Sequence, residues 1–323
     1  MEPDFPTNVL EFNERFATDE ACALYLEALR WPGGFVCARC GGREFTRVDT
    51  RRLLQCSARD CRHQTTVTAG TPLHGTRKPL RAWFQAMFLM STQKTGASAA
   101  NLQRQLGLGS YETAWTWQHK IRACLALSAR KKLSGRVEID EGYVGGLEEG
   151  KPGRGGEEKA VVAAAAEDLG GHIGRVRLSV EPDASQKSLT RFVVENVDKG
   201  STAHTDGWSG YAAISKQGIE HESESITRSG KTGSELFPLV HLVLALLKRW
   251  LLGTHQGAVS AKHLQAYLDE FTFRFNRRTC RHATGIFERL AMAVVTGCRT
   301  TYRAIVHGRV PIGPASELAV ATG

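Results

Sequence analysis

No run in this 323-residue chain is both long and apolar enough to span a bilayer. The most apolar stretch, 240–252, is broken by His241, Lys248 and Arg249, so no membrane partner is expected. The first residues, Met1-Glu-Pro-Asp-Phe5, are acidic and lack the apolar core of a secretory leader. No internal repeat recurs, which argues against a solenoid. Eight cysteines without a leader point to reduced thiols and metal binding, not a disulfide framework. What remains is ordinary for a globular protein: 41% apolar and 23% charged residues, and enough length for two cores.

Negative charge is scarce in one place. Between Cys37 and Lys132 there are 17 Lys and Arg against 4 Asp and Glu. The chain's net charge is +9, so nearly all its excess sits in that block. The block opens with two close cysteine pairs, Cys37-Ala-Arg-Cys40 and Cys56-Ser-Ala-Arg-Asp-Cys61, separated by 15 residues. Such knuckles can close a tetrahedral thiolate site around one structural Zn²⁺. A redox-active or incidental set of thiols is the other reading. The segments 44–48 and 52–56 read as two strands of a hairpin between the pairs. So small a module buries little surface unaided, and a metal would stabilise it. Its basic context suggests nucleic acid, with Arg51, Arg52, Arg59 and Arg62 able to neutralise phosphates. Cys22, Cys124, Cys280 and Cys298 show no ligand spacing and read as buried thiols.

The expected order of regions begins with N-terminal helices over 1–34 and a zinc ribbon over 35–70. A helix-turn-helix-like DNA-binding region follows over 76–132. There a short helix, a glycine turn and a Ser110 cap precede a helix carrying Thr113, Trp117, Lys120 and Arg122. A plain helical hairpin packed in a core fits the same pattern. From Gly135 the pattern becomes α/β. Strands are expected at 136–140, 159–166 and 175–180, then a helix at 188–197 and a strand at 201–205. A long helix near 236–252 and an amphipathic one at 261–277 follow. Three strands, then alternating helix and strand, match the order of a ribonuclease-H-like fold, expected over 135–310. The remaining 311–323 are expected to be a disordered tail.

Two carboxylates each close an expected strand beside a turn: Asp140 before Glu141-Gly-Tyr, and Asp206 before Gly207-Trp. Neighbouring strand ends can bring two carboxylates onto the same divalent cations. Paired Mg²⁺ or Mn²⁺ ions ~3.5–4 Å apart activate a nucleophile and stabilise the leaving oxygen in phosphodiester chemistry. Taken alone, an Asp before Gly is usually a turn residue.

From Phe12 to Arg278 the chain resembles bacterial insertion-sequence transposases that join a zinc ribbon to a DDE-type nuclease domain. The resemblance is carried by Arg30-Trp-Pro-Gly-Gly-Phe-Val-Cys-Ala-Arg-Cys-Gly, Thr68-Ala-Gly-Thr, Trp83-Phe, Glu138-Ile-Asp-Glu-Gly-Tyr-Val-Gly-Gly and Thr205-Asp-Gly. It continues through Leu247-Lys-Arg-Trp-Leu-Leu-Gly-Thr-His, Lys262-His-Leu-Gln-Ala-Tyr-Leu-Asp-Glu-Phe and Phe273-Arg-Phe-Asn-Arg-Arg. It implies that Asp140 and Asp206 are catalytic metal-binding acids, that two Mg²⁺ or Mn²⁺ ions serve them, and that Lys248 lies near DNA phosphate. It gives Glu141 a supporting role. It implies double-stranded DNA as partner, both element ends and target, a homo-oligomer on that DNA, and a bacterial cytoplasm with nucleoid association.

One departure stands out. The family carries a third ligand, commonly Asn or Glu, two residues before that lysine, where this chain has Leu246. Leucine offers no oxygen to a hard cation. Glu235 and Glu270 are candidate substitutes, and a catalytically inactive, transposase-derived DNA-binding protein is the alternative function.

Overall fold

The computed structural model describes residues 6–48, 53–125, 131–145, 159–257, 259–280 and 283–308, which form two compact units. Arg51, Arg52, residues 146–158 and the 311–323 tail lie outside the described residues. Among those described, no helix is long and apolar enough to cross a membrane.

The first unit begins with α1 (Val9–Arg15) and α2 (Asp19–Arg30). Asn8 caps α1 by accepting from the N–H groups of Leu10 and Glu11, and Thr18 caps α2 through Ala21. A three-stranded antiparallel ribbon follows: β1 (Phe45–Val48), β2 (Leu53–Cys56) and β3 (Gln64–Thr65), in that spatial order. Its own core is small, with Phe35, Cys37, Leu54 and Cys56 as the buried residues. Then come α3 (Leu80–Thr92), α4 (Ala99–Leu106) and α5 (Tyr111–Leu125). Gly107, in the left-handed region at φ +60, ends α4, and the Ser110 hydroxyl accepts from Thr113 N–H to start α5.

The second unit is built on a five-stranded sheet. Its strands are β4 (Arg136–Val144), β5 (Ala160–Asp168), β6 (Ile173–Glu181), β7 (Thr202–Asp206) and β8 (Glu220–Glu224). The spatial order is β6-β5-β4-β7-β8; the β4, β5 and β6 pairings are antiparallel, those of β4 with β7 and β7 with β8 parallel. This order, three-two-one-four-five in chain sequence, is that of the ribonuclease-H-like fold. Helix α6 (Gln186–Asn196) precedes β7; α7 (Ile226–Ser229), α8 (Gly233–Leu236), α9 (Pro238–His255) and α10 (Ala261–Phe275) follow β8.

Alternation along the strands sorts their side chains between two cores. Val137 and Ile139 join Ala163 and Ala165 under Leu189, Phe192 and Val193 of α6. On the opposite face Val162, Ala164 and Ala166 meet Val240, Val243, Leu244 and Leu247 of α9 and Leu264 and Leu268 of α10. Each such leucine or valine contributes roughly 1.5–3 kcal/mol by leaving water. Small residues let α9 come close: a Cβ on Gly142 would stand 3.1 Å from Leu244 Cδ2. The strand β8 has no counterpart in the sequence-based expectation, because Glu-His-Glu-Ser-Glu shows no apolar alternation and forms a polar edge.

The span 135–310 expected for one domain is divided. After Thr279 the chain belongs to the first unit, with α11 (Ala283–Thr296) and α12 (Tyr302–Val306). The reason is aromatic packing. Phe287 lies 4.9 Å from Phe12, 5.5 Å from Phe84 and 5.9 Å from Phe16, ring centre to ring centre. All four rings are buried.

Candidate metal sites and nucleic-acid surface

Cys37 and Cys40 sit on a tight turn before β1. Cys37 N–H donates to Gly42 O at 2.8 Å, and Gly41 N–H to Cys37 O at 2.9 Å. Gly41 takes φ +73, which a glycine adopts without strain. Cys56 ends β2, and Cys61 follows on the next turn, its N–H bonded to Ala58 O. The four sulfurs lie within 4.8 Å of one another, with Cys37 to Cys61 at 3.7 Å and Cys40 to Cys56 at 3.5 Å. Zinc–sulfur bonds of about 2.3 Å set tetrahedron edges of about 3.8 Å, so the thiols already stand near ligand spacing. Burial raises the Cys37 thiol, but N–H groups of Arg39 and Cys40 and the thiols of Cys61 and Cys40 bring it down to about 7. A Cβ on Gly42 would stand 3.3 Å from Cys40 Sγ and 3.4 Å from Cys56 Sγ, which explains a glycine against the sulfurs.

In the second unit the β4–β7 ladder pairs Arg136 with Thr202, Val137 with Ala203 and Glu138 with His204. The same offset carried two residues on would set Asp140 beside Asp206, on one pleat face of adjacent strands. Asp140 Oδ1 accepts from Glu141 N–H at 2.8 Å, and Asp206 Oδ1 from Trp208 N–H at 3.0 Å. Both carboxylates are partly exposed. Glu141 points to the other face, where its carboxylate accepts from the buried Tyr211 hydroxyl at 2.8 Å. Burial, and then the charges of Glu141, Asp140 and Asp206, push that phenol well above its usual range. Asp206 ends β7 as expected, but β4 runs on to Val144, so Asp140 lies mid-strand and does not close it.

Helix α9 brings a fourth group that the sequence reading passed over. His241 Nε2 lies 3.1 Å from Asp140 Oδ2. Hydrogen bonding to Asp140 raises the imidazole above its ordinary value, against the cost of partial burial. The helix is held there by Glu138, whose Oε2 accepts from Leu239 and Val240 N–H at 2.8 and 2.9 Å. A carboxylate at a helix N-terminus also opposes the positive end of its dipole. Burial raises the Glu138 carboxyl above its usual range, and these two N–H groups work against that rise. Leu246, by contrast, packs against the apolar cluster beneath α9. Of the candidate substitutes, Glu235 closes a capping box with Thr232 and Glu270 is buried on α10. A signal for His241 existed in the sequence: it is the one polar residue in the first two turns of α9. Among the described residues only the cysteines bring all their ligand atoms within 4.8 Å; Asp140, Asp206 and His241 are less tightly drawn together.

The basic candidates divide. Lys248 is exposed on α9, seven residues beyond His241, and so lies on the same stripe two turns along, about 10 Å away. Arg62 and Arg59 are exposed on the ribbon. Lys120 is half-buried, its ammonium 5.9 Å from the Trp83 ring centre; burial, then the charge of Arg299, lowers its pKa. Arg122 corrects the expectation: it is fully buried, 3.4 Å from His119 Nε2, and cannot reach a phosphate. Trp117, Gln118, Ile121 and Leu125 are buried with it, so the second half of α5 is a core helix. Arg52 lies outside the described residues.

Residues 132–276 match the family model of the ISXO2-like transposase domain, and residues 17–64 that of the transposase zinc-ribbon domain. No curated protein matches the chain. Among solved structures, the catalytic core domain of BIV integrase is similar at 15% identity, over 45% of this chain and 85% of that one, with a TM-score of 0.32. A pre-cleavage Mos1 transpososome is similar at 11% identity over 71% of this chain and 79% of that one, with a TM-score of 0.27.

Proposed function

Because the chain carries a transposase zinc-ribbon domain followed by an ISXO2-like transposase domain, we propose that it binds the ends of an insertion sequence, cuts them and joins them to target DNA. The observation that carries this reading is the parallel β4–β7 ladder, whose last pair, Glu138 with His204, extended by two residues would bring Asp140 of β4 beside Asp206 at the end of β7. Two carboxylates on one pleat face are the donor set that divalent cations require. When bound, a cation pair there would supply an activated water or 3′-hydroxyl and stabilise the leaving oxygen. The chain's own residues do the rest. Glu141 N–H and Trp208 N–H each fix one carboxylate oxygen of Asp140 and Asp206. Lys248, on the stripe that faces the acids, neutralises a DNA phosphate.

Cys37, Cys40, Cys56 and Cys61 hold a structural zinc, and Arg59 and Arg62 on that ribbon contact phosphates without reading bases. Joining two ends calls for more than one protomer on the DNA, in a cytoplasm where the nucleoid is accessible. The non-catalytic alternative rests on Leu246, a partly buried side chain packed against the core cluster that offers no oxygen to a cation. The test is incubation of purified protein with terminal inverted-repeat DNA and Mn²⁺. Strand cleavage that Asp140→Asn abolishes supports the reading. Tight, salt-sensitive binding with no nicking at any Mn²⁺ or Mg²⁺ concentration would leave only a DNA-binding protein.

A further inference from the structure

We infer that His241 is the third ligand of the Asp140–Asp206 cation site, and that its imidazole biases the site toward Mn²⁺ over Mg²⁺. This rests on the proposed reading of Asp140 and Asp206 as metal-binding acids, and deepens it by naming the ion.

Three independent features of the structure hold His241 in a ligand's position. The first is spacing. Adjacent ligands around an octahedral cation with bonds of ~2.1–2.2 Å stand ~3.0–3.1 Å apart. His241 Nε2 and Asp140 Oδ2 are 3.1 Å apart. The second is the helix anchor. Both N–H groups that Glu138 accepts belong to Leu239 and Val240, the two residues before His241, so the phase of α9 is fixed where it matters. The third is the room left for the ring. A Cβ on Gly233 would stand 2.8 Å from His241 Nε2 and 2.9 Å from its Cε1, so α8 offers a bare backbone where the imidazole lies. The side chain is 36% exposed, open enough to exchange a hydrogen bond for a metal bond.

Donor chemistry then decides the ion. Mg²⁺ takes oxygen ligands and keeps its waters, whereas imidazole suits first-row transition ions. A set of two carboxylates and one imidazole therefore disfavours Mg²⁺. Mn²⁺ shares the preference of Mg²⁺ for carboxylates and six-coordination while accepting nitrogen. A leucine two residues before Lys248 is then no defect, because the helix presents its donor two turns before that lysine.

The test uses the zinc-loaded full-length protein, so that the cysteine site is filled, and Mn²⁺ as the probe. Pulsed electron paramagnetic resonance reads whether a ¹⁴N nucleus is bonded to the Mn²⁺, and titration with Mg²⁺ competition reads selectivity. Mn²⁺ binding lost in Asp206→Asn assigns the signal to this site. The expected result is directly coordinated ¹⁴N in the parent, absent in His241→Glu although that variant still binds Mn²⁺. The Mn²⁺-to-Mg²⁺ affinity ratio should fall about tenfold in His241→Glu, as an oxygen donor replaces nitrogen. Mn²⁺ bound at Asp140 and Asp206 without nitrogen coupling, or an unchanged ratio in the variant, overturns the inference and leaves the nuclease reading intact. Mn²⁺ binding indifferent to Asp206→Asn overturns both.

Discussion

The cysteine site and the acid site are built in opposite ways. The four cysteines fall within 25 consecutive residues, and the ribbon around them has only four buried residues in its core cluster. There the ligands are local and the surrounding fold is thin, so the metal would hold the structure together. Asp140, Asp206 and His241 are spread over 102 residues and come from a strand, a second strand and a helix. There a sheet covered on both faces positions the candidate ligands, and the fold would make the site. The comparison teaches that metal removal should be destructive at the first and tolerated at the second.

The largest effect should follow from breaking the first side. Cys56→Ser, or zinc removal by a chelator, is expected to unfold the ribbon. Limited proteolysis should then cut within 35–70 while the 131–279 sheet unit stays protected; a ribbon as resistant as the parent's would contradict this account. The mirror experiment is Asp140→Asn. Cleavage of terminal-repeat DNA should fall ~10³-fold or more with the loss of a metal ligand, while the thermal unfolding midpoint changes little. Next is Leu247→Ala, a fully buried position on α9. It should cost roughly 2–5 kcal/mol by denaturant titration and leave zinc content untouched.

A smaller change tests whether Leu246 belongs to the core or the site. Leu246→Asn should lower stability by about 1–3 kcal/mol, since it sets an amide against apolar neighbours, and should not raise cleavage. Increased activity would return Leu246 to the ligand position.

The smallest expected effect is a pH dependence of the sheet unit. Burial lowers the pKa of His204, His221 and His263, whereas Asp140 raises that of His241. A histidine with a lowered folded pKa takes up its proton more readily when unfolded. Its contribution is therefore lost as pH falls from ~6.5 through the folded value. His241 acts with the opposite sign, adding stability at low pH that disappears as pH rises through its raised value. With three against one, denaturant midpoints should drop between pH 7 and 5, and His241→Ala should steepen the drop.

The two sites also differ in what a reader of the sequence can see. Close cysteine pairs declare themselves because all four thiols lie within one short stretch of chain. Strands β4, β5 and β6 were legible from alternation and from the alanine-valine run, and α9 and α10 from apolar periodicity. Asp140 and Asp206 stood out as acids expected to end strands; Asp206 does, whereas β4 continues to Val144, because Tyr143 and Val144 carry on its pairing with β5. His241 was hidden by 101 residues of separation from Asp140 and by a resemblance that directed attention to Leu246. Edge strand β8 was invisible because it buries little apolar surface on its own. Arg122 looked like a surface cation until the packing of α5 enclosed it, and α11 looked continuous with the domain before it until Phe287 met Phe12 and Phe84.

The most direct measurement is an anomalous-scattering map at the manganese edge from crystals soaked in Mn²⁺. A peak bonded to the carboxylates of both Asp140 and Asp206 is the predicted result. Manganese bound to one of them alone, or only elsewhere on the molecule, would contradict the shared cation site.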